Sequence, residues 1–197
     1  MNPHFVFNSI NSMLSLIMAR DNDKAIDYLT KFSKLIRLIL ENSVTGYVLL
    51  KKEIDLLCLY MELEMLRFEG RFSYDIIVGD EIDITVETIP SMIIQPYIEN
   101  SIRHGFSKST KPGKIHLKFS KEVANIRCEI TDNGIGRKKS EELKKEKKII
   151  HKSLGMKVTG ERMNLLNSSV SIVDLFETDG SPAGTKVVLI LKRQEME

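Results

Sequence analysis

Two stretches of the chain hold residue types that could handle phosphate. Asn2-Pro3-His4-Phe5-Val6-Phe7-Asn8 puts an imidazole near the amino terminus, and Pro96-Tyr97-Ile98-Glu99-Asn100-Ser101-Ile102-Arg103-His104-Gly105 lies about ninety positions further on. Imidazole is largely neutral at physiological pH and keeps a free lone pair, so a His on an accessible helix can accept a phosphoryl group without a strong base beside it. In the second stretch Asn100 offers a neutral oxygen to Mg²⁺, Arg103 offers a fork to phosphate, and Glu99 can orient or deprotonate a nucleophile. Taken alone, Glu99 and Arg103 are better read as an i, i+4 surface pair contributing about 0.2–0.5 kcal/mol.

Glycine-containing turns supply the next candidates. Asp132-Asn133-Gly134-Ile135-Gly136 follows a strand pattern, so Asp132 sits at a strand end where its carboxylate can accept a hydrogen bond from an exocyclic amine. Gly134 and Gly136 would let backbone approach a ring closely. By itself Asp-Asn-Gly is a good hairpin turn. A second turn, Ser153-Leu154-Gly155-Met156, opens a helical pattern whose first amides could meet phosphate, and Gly184-Thr185 begins the last strand. Each of these is individually compatible with turn formation. His104 is a pocket residue by its place in the second stretch; His116, alternating with Ile115 and Leu117, reads as solvent-facing, and His151 fits either role. Phe5 and Phe7 are assigned to a helix-bundle core.

The elements that must position these residues follow from periodicity. From His4 to about Met18, Phe7, Ile10, Leu14 and Ile17 form an apolar seam, and His4, Asn8, Asn11 and Ser15 form a polar face. Asp21-Asn22-Asp23 supplies turn and cap chemistry before a second helix, seamed by Ile26, Leu29, Phe32, Ile36 and Ile39, that runs to about Asn42. Leu35, Leu38 and Leu40 lie off that seam, so a lone hairpin exposes more apolar surface than it can bury, and the expectation is a dimeric four-helix bundle. A third helix spans about 51 to 68 and ends at Gly70. Strand patterns occupy 71–78, 114–119, 125–131, 170–177 and 185–192, alternating with helices at 90–104, with Pro90 near the start, and 155–166. The Ile94, Ile98 and Ile102 side of the 90–104 helix should pack on a sheet, with Gln95, Glu99, Asn100, Arg103 and His104 on the other. The expected fold class is α+β: an N-terminal helical hairpin, residues 1–49, and a two-layer α/β sandwich, residues 50–197. The segment 137–152 carries eight Lys or Arg and three Glu and reads as a solvated helix, or as a mobile lid by virtue of its flanking turns.

Composition narrows the classes. A net charge of +2 is too small for nucleic-acid binding. Cys58 and Cys128 fall in apolar periodic segments and read as reduced core residues, which implies a cytosolic setting. No run of eighteen apolar residues and no signal peptide is visible.

In order and combination, these parts resemble the catalytic region of sensor histidine kinases of the autolysin-regulator and YpdA-type group. Their acceptor motif is similar to Asn-Pro-His-Phe-x-Phe-Asn, and their N box is similar to Ile94-Gln95-Pro96-Tyr97-Ile98-Glu99-Asn100 followed by His104-Gly105. The resemblance covers nearly the whole chain and implies a nucleotide domain of the gyrase, chaperone, histidine-kinase and mismatch-repair type. It implies that ATP and Mg²⁺ are used, with His4 as phosphoacceptor, Glu99 as base or orienting carboxylate, Asn100 as magnesium ligand, and Arg103 as phosphate contact. Asp132 would read adenine, Gly134 and Gly136 would form a glycine box, and Gly155 with Thr185 would border the pocket; Asn8 could position the incoming group. It further implies a homodimer and a response-regulator receiver domain as partner. The chain would be the cytoplasmic portion of an inner-membrane-anchored sensor, with the sensor segment upstream of Asn2. Ser153 stands where a fuller Gly-x-Gly pattern has its first glycine, and Pro96 stands where many other histidine kinases have Asn. Two rival readings are a superfamily ATPase that uses hydrolysis for conformational change and a non-catalytic nucleotide-binding scaffold.

Overall fold

A computed structural model of the chain describes residues 3–106, 111–137, 139, 163 and 166–194. Helix α1 (Pro3–Met18) opens on Pro3, whose missing N–H costs nothing in a first helical turn. It closes with Arg20 in the left-handed region (φ 59°) and the Asp21 N–H donating to the Leu16 carbonyl, a Schellman-type end built without glycine. Asp21 then caps α2 (Asn22–Val44), its Oδ1 accepting from the Lys24 N–H at 3.3 Å. A short connection between two long helices that pack together gives the expected hairpin.

The face by which α1 packs differs from the expectation. Phe5 and Ser9 are buried, with Met13 and Leu16 partly so. Phe7, Ile10, Leu14 and Ile17, the anticipated seam, are exposed, Phe7 by 68%. The helix carries two apolar stripes, and packing selects Phe5, whose ring lies 5.1 Å from Tyr60 and 6.3 Å from Phe32. In α2 a similar shift buries Tyr28 and Leu35 and exposes Ile26 and Leu29, while Ile39 is buried and Leu40 exposed as their spacing suggested. Leu35, assigned off the seam from its spacing, is fully buried.

Beyond α2, the short strand β1 (Tyr47–Leu49) leads into α3 (Leu50–Arg67), whose Leu56, Leu57, Tyr60, Met61 and Leu63 are all buried. A helix apolar on more than one side needs cover on more than one side. Helices α1 and α2 cover one, and the second layer covers the other. That layer is a five-stranded sheet ordered β2-β4-β5-β7-β6, from β2 (Phe72–Val78), β4 (Gly113–Glu122), β5 (Asn125–Asp132), β6 (Ser169–Phe176) and β7 (Pro182–Lys192). The β2–β4 pair is parallel and the others antiparallel, so the sheet is mixed, as expected. Strict alternation puts Ile115, Leu117, Phe119, Ile126, Cys128 and Ile130 inward. His116 faces outward, its Nδ1 2.8 Å from Asp75 Oδ1. Cys58 and Cys128 are both free thiols, and burial raises the pKa of each.

The single helix expected over 90–104 is corrected to a strand end, a turn, a short α-helix and a π-helical stretch. Pro90 ends β3 (Thr88–Pro90), a strand paired antiparallel with β1; Ser91 to Ile94 form a turn; α4 spans Gln95–Asn100; and a π-helical stretch, Ser101–Phe106, completes it. The proline that sits near the helix start is Pro96. Ile94, Ile98 and Ile102 are fully buried, as their spacing requires. The expected helix at 155–166 and the 137–152 segment lie largely outside the described residues. Among the described residues no helix is long and apolar enough to cross a membrane.

Candidate active site

The turn that aims α4 is clamped from two sides. Ser91 donates its backbone N–H to the Gly46 carbonyl (3.1 Å) and its Oγ hydrogen to the Thr45 carbonyl (2.8 Å). Met92 adopts a left-handed φ of 55° while its N–H donates to Oε2 of the buried Glu53 of α3 at 3.1 Å. A non-glycine residue holds that conformation only where its surroundings over-determine it. The segment between the helical hairpin and α3 thereby fixes where Glu99 and Asn100 emerge.

Asp132 ends β5 and is 5% exposed. Its Oδ2 accepts from the Ser101 hydroxyl at 2.7 Å and its Oδ1 from the Gly134 N–H at 2.9 Å. Thr185 of β7 is its partner in the ladder and adds a backbone hydrogen bond. Burial raises the pKa of the carboxyl above the usual value, and these hydrogen bonds oppose the rise. The two carboxylate oxygens have about four lone-pair sites between them, so these three hydrogen bonds leave capacity for a ligand donor.

Close backbone approaches require glycine at Gly134 and Gly184, around this carboxylate. A Cβ on Gly134 would lie 2.5 Å from the Gly105 Cα, so the π-helical turn and the loop after β5 meet backbone to backbone. The Ile135 N–H donates to the Gly105 carbonyl at 3.2 Å, fastening the two. A π turn widens the helix by one residue, as is frequent at functional sites, and here it brings Gly105 onto Gly134. Gly184, with φ 127°, passes so close that a Cβ would fall 1.8 Å from the Asp132 carbonyl oxygen. Asp132-Asn133-Gly134 makes no hairpin between described strands: Asn133 Oδ1 instead accepts from the Lys114 N–H at 2.6 Å, and the next strand among the described residues, β6, pairs with β7.

The sequence-predicted residues therefore fall into two groups on neighbouring turns. Asp132, Gly134 and Thr185 gather at the end of β5 with Gly105, which follows His104, and with Ser101, which follows Asn100. Gly136 follows in the left-handed region, φ 75°. Glu99 and Arg103 instead border a small gap between α1, α3 and α4, with Phe5, Asn8, Tyr60, Glu64 and Arg67. There Arg103 Nη1 donates to Glu99 Oε1 at 2.9 Å, the pair anticipated as their plainer role. His4 is the second residue of α1, one residue before Phe5, so the backbone of the first turns of α1 runs beside Glu99. Gly155 and His151 lie outside the described residues. Ser101 is the residue that sequence reasoning missed; its signal was a hydroxyl directly after Asn100, and only the fold shows that it reaches Asp132.

Residues 1–72 match the family model described as histidine kinase. The chain is 32% identical over 200 residues, 99% of its length, to the sensor histidine kinase/phosphatase LytS of Staphylococcus aureus, and covers 34% of that protein. It is 36% identical over 135 residues, 68% of its length, to the sensor protein LytS of Oceanobacillus iheyensis, and covers 23% of it. Over nearly its whole length the chain is therefore similar to LytS-type sensor histidine kinases. It spans about a third or less of the length of these relatives. Among solved structures, the histidine kinase AdeS of Acinetobacter baumannii superposes with a TM-score of 0.52 at 14% identity, covering 98% of both chains, which supports the fold. The α+β architecture expected from the motifs is thus present, with the helical hairpin, the third helix and the mixed sheet following one another along the chain.

Proposed function

We propose that this LytS-type region binds ATP with Mg²⁺ at the Asp132 end of the sheet, transfers the γ-phosphoryl group to His4, and passes it to an aspartate of a response regulator. The observation that carries this reading is the coexistence of the two groups on neighbouring turns. A buried carboxylate with acceptor capacity lies beside a glycine-only backbone approach, and a Glu–Arg pair one turn away borders the helix of the acceptor motif.

The residues fit the ligand they are asked to hold. Asp132 offers a fixed acceptor to an exocyclic amine, its orientation set by Ser101 and Gly134, and the close Gly105–Gly134 contact leaves a side-chain-free surface for a ring. Among the described residues no group of three His, Cys, Asp or Glu side chains could hold a metal by itself. Asn100 therefore suits Mg²⁺, which is commonly held by one or two protein oxygens together with substrate phosphates. Nucleotide and metal together would supply the activated phosphoryl group. The chain would supply position and charge: Glu99 takes the imidazole proton as the N–P bond forms and the bond to the ADP oxygen breaks, and Arg103, paired with Glu99 here, turns to the phosphate. Residues 1–49 would form the acceptor unit and 50–197 the nucleotide unit. A second copy would cover the exposed Phe7, Ile10, Leu14 and Ile17 stripe as a four-helix bundle.

Labelling with γ-³²P-ATP tests the proposal. Wild-type chain should acquire acid-labile, base-stable label, and His4→Gln should acquire none. Steady ATP turnover without protein label would favour a superfamily ATPase instead. Regulator control retained by Asn100→Ala would favour a scaffold.

A further inference from the structure

A buried ion pair on α3 stands where the acceptor-motif helix meets α4. Glu64 is 1% exposed and bonded through Oε2 to Nη2 of Arg67, itself only partly exposed. The Arg67 guanidinium lies 4.4 Å over the Phe68 ring, which restrains its plane, and its Nε is buried with no hydrogen-bond partner. Burial raises the Glu64 carboxyl pKa, the Arg67 hydrogen bond and charge lower it, and the more distant Glu99 and Arg103 also act on it. Glu64, Arg67, Glu99 and Arg103 thus border one gap as two acids and two bases, closed by Phe5 and Asn8 of α1 and by Tyr60.

Such a pair is a poor device for stability alone, because desolvating two charges roughly cancels their attraction and apolar residues of similar volume do as well. Its place suggests another use. Arg103 has two possible demands on it, Glu99 and phosphate, and can leave Glu99 at low cost only if another cation remains beside that carboxylate. Arg67 is on the same gap, with its plane held by Phe68 and an N–H unspent.

We propose that Arg67, held by Glu64, is a positioning residue for phosphoryl transfer: it shares the Glu99 carboxylate with Arg103, keeping that carboxylate directed at the acceptor helix when Arg103 turns to phosphate. The inference rests on the reading of His4 and Glu99 given above.

The test uses the whole chain and compares labelling rate, apparent KM for ATP, ADP affinity and melting temperature. Arg67→Gln removes the cation, and Glu64→Gln with Arg67→Gln removes it without stranding a buried carboxylate. In both, the labelling rate at saturating ATP should fall by at least about tenfold, with KM for ATP and the ADP dissociation constant held within about twofold. Arg67→Lys should recover part of the rate, since it restores charge without the planar fork. Label on wild type together with wild-type rates in the Gln variants would overturn the role of Arg67 and leave the acceptor reading standing. Nucleotide affinity falling in step with rate, or no gain from Lys over Gln, would overturn it as well. A wild type no better labelled than His4→Gln would sink the acceptor reading and this inference together.

Discussion

Asp132 shows how a single buried carboxylate couples stability to recognition. Because burial raises its folded-state pKa, the folded chain holds that proton more tightly than the unfolded chain, whose value is about 3.8. The contribution of this group to stability is therefore greatest below about pH 3.8, declines as pH rises to the raised value, and stays reduced above it. Asp132→Asn relieves that cost and keeps an oxygen for Ser101. We expect the variant to unfold at the wild-type temperature or higher at pH 7, with its advantage shrinking towards pH 4. Its ADP affinity should drop at least about tenfold, equivalent to about 1.4 kcal/mol. Calorimetric melts at the two pH values and ADP titration check this; a variant that binds ADP normally would remove Asp132 from the site. Asp132 was readable in the sequence as a carboxylate at a strand end. Ser101, its hydrogen-bond donor, was not, because nothing in a linear pattern says which of two adjacent polar residues turns inward.

Among the elements, the meeting of the π-helical stretch with the loop after β5 makes distinct predictions for three glycines. Gly105→Ala places its Cβ at ordinary contact, 3.4 Å from Asp132 Oδ1, and should change unfolding free energy by less than about 1 kcal/mol. Gly134→Ala meets the Gly105 backbone at 2.5 Å and should cost about 1–3 kcal/mol while weakening nucleotide binding. Gly184→Ala combines a left-handed φ with a 1.8 Å backbone collision and should leave little folded protein, a loss above about 4 kcal/mol. Urea denaturation ranks the three, and any other order would contradict the close approach. Here the sequence foretold that backbone would come near something at Gly134, but the partner backbone, Gly105, lies one residue past the end of the expected helix and is brought there by the π-helical stretch. Strands β1 and β3, three residues each, were too short for any periodicity to reveal, although they set the direction of α4.

For the whole molecule, the consequential feature is the apolar stripe left outside on α1. Phe7, Ile10, Leu14 and Ile17 are all exposed in a chain that buries a second stripe of the same helix against α2 and α3. A patch of this kind marks an interaction site more often than a neutral surface. Under the proposed bundle, Leu14→Asp with Ile17→Asp should convert a dimer to a monomer in light-scattering chromatography without lowering ADP affinity. A wild type that is monomeric at high concentration would remove the bundle. The double pattern also explains why periodicity picked the outward stripe as the core: a helix serving two partners has two apolar faces, and spacing alone does not rank them.

The residues by themselves determined the helical hairpin, the third helix and the five long strands, the inward alternation of those strands, the burial of Ile94, Ile98 and Ile102, and the kind of chemistry available at His4, Glu99, Asn100 and Asp132. These depend on periods of two and about four residues and on side-chain functional groups, which are local properties. Tertiary structure alone decided which face of α1 turns inward, that the 90–104 segment breaks into a turn, a short α-helix and a π-helical stretch, and that Ser101 bonds Asp132 while Glu64 and Arg67 border the same gap as Glu99. Those outcomes depend on contacts between segments far apart in the chain, where several locally equivalent arrangements compete and packing selects among them.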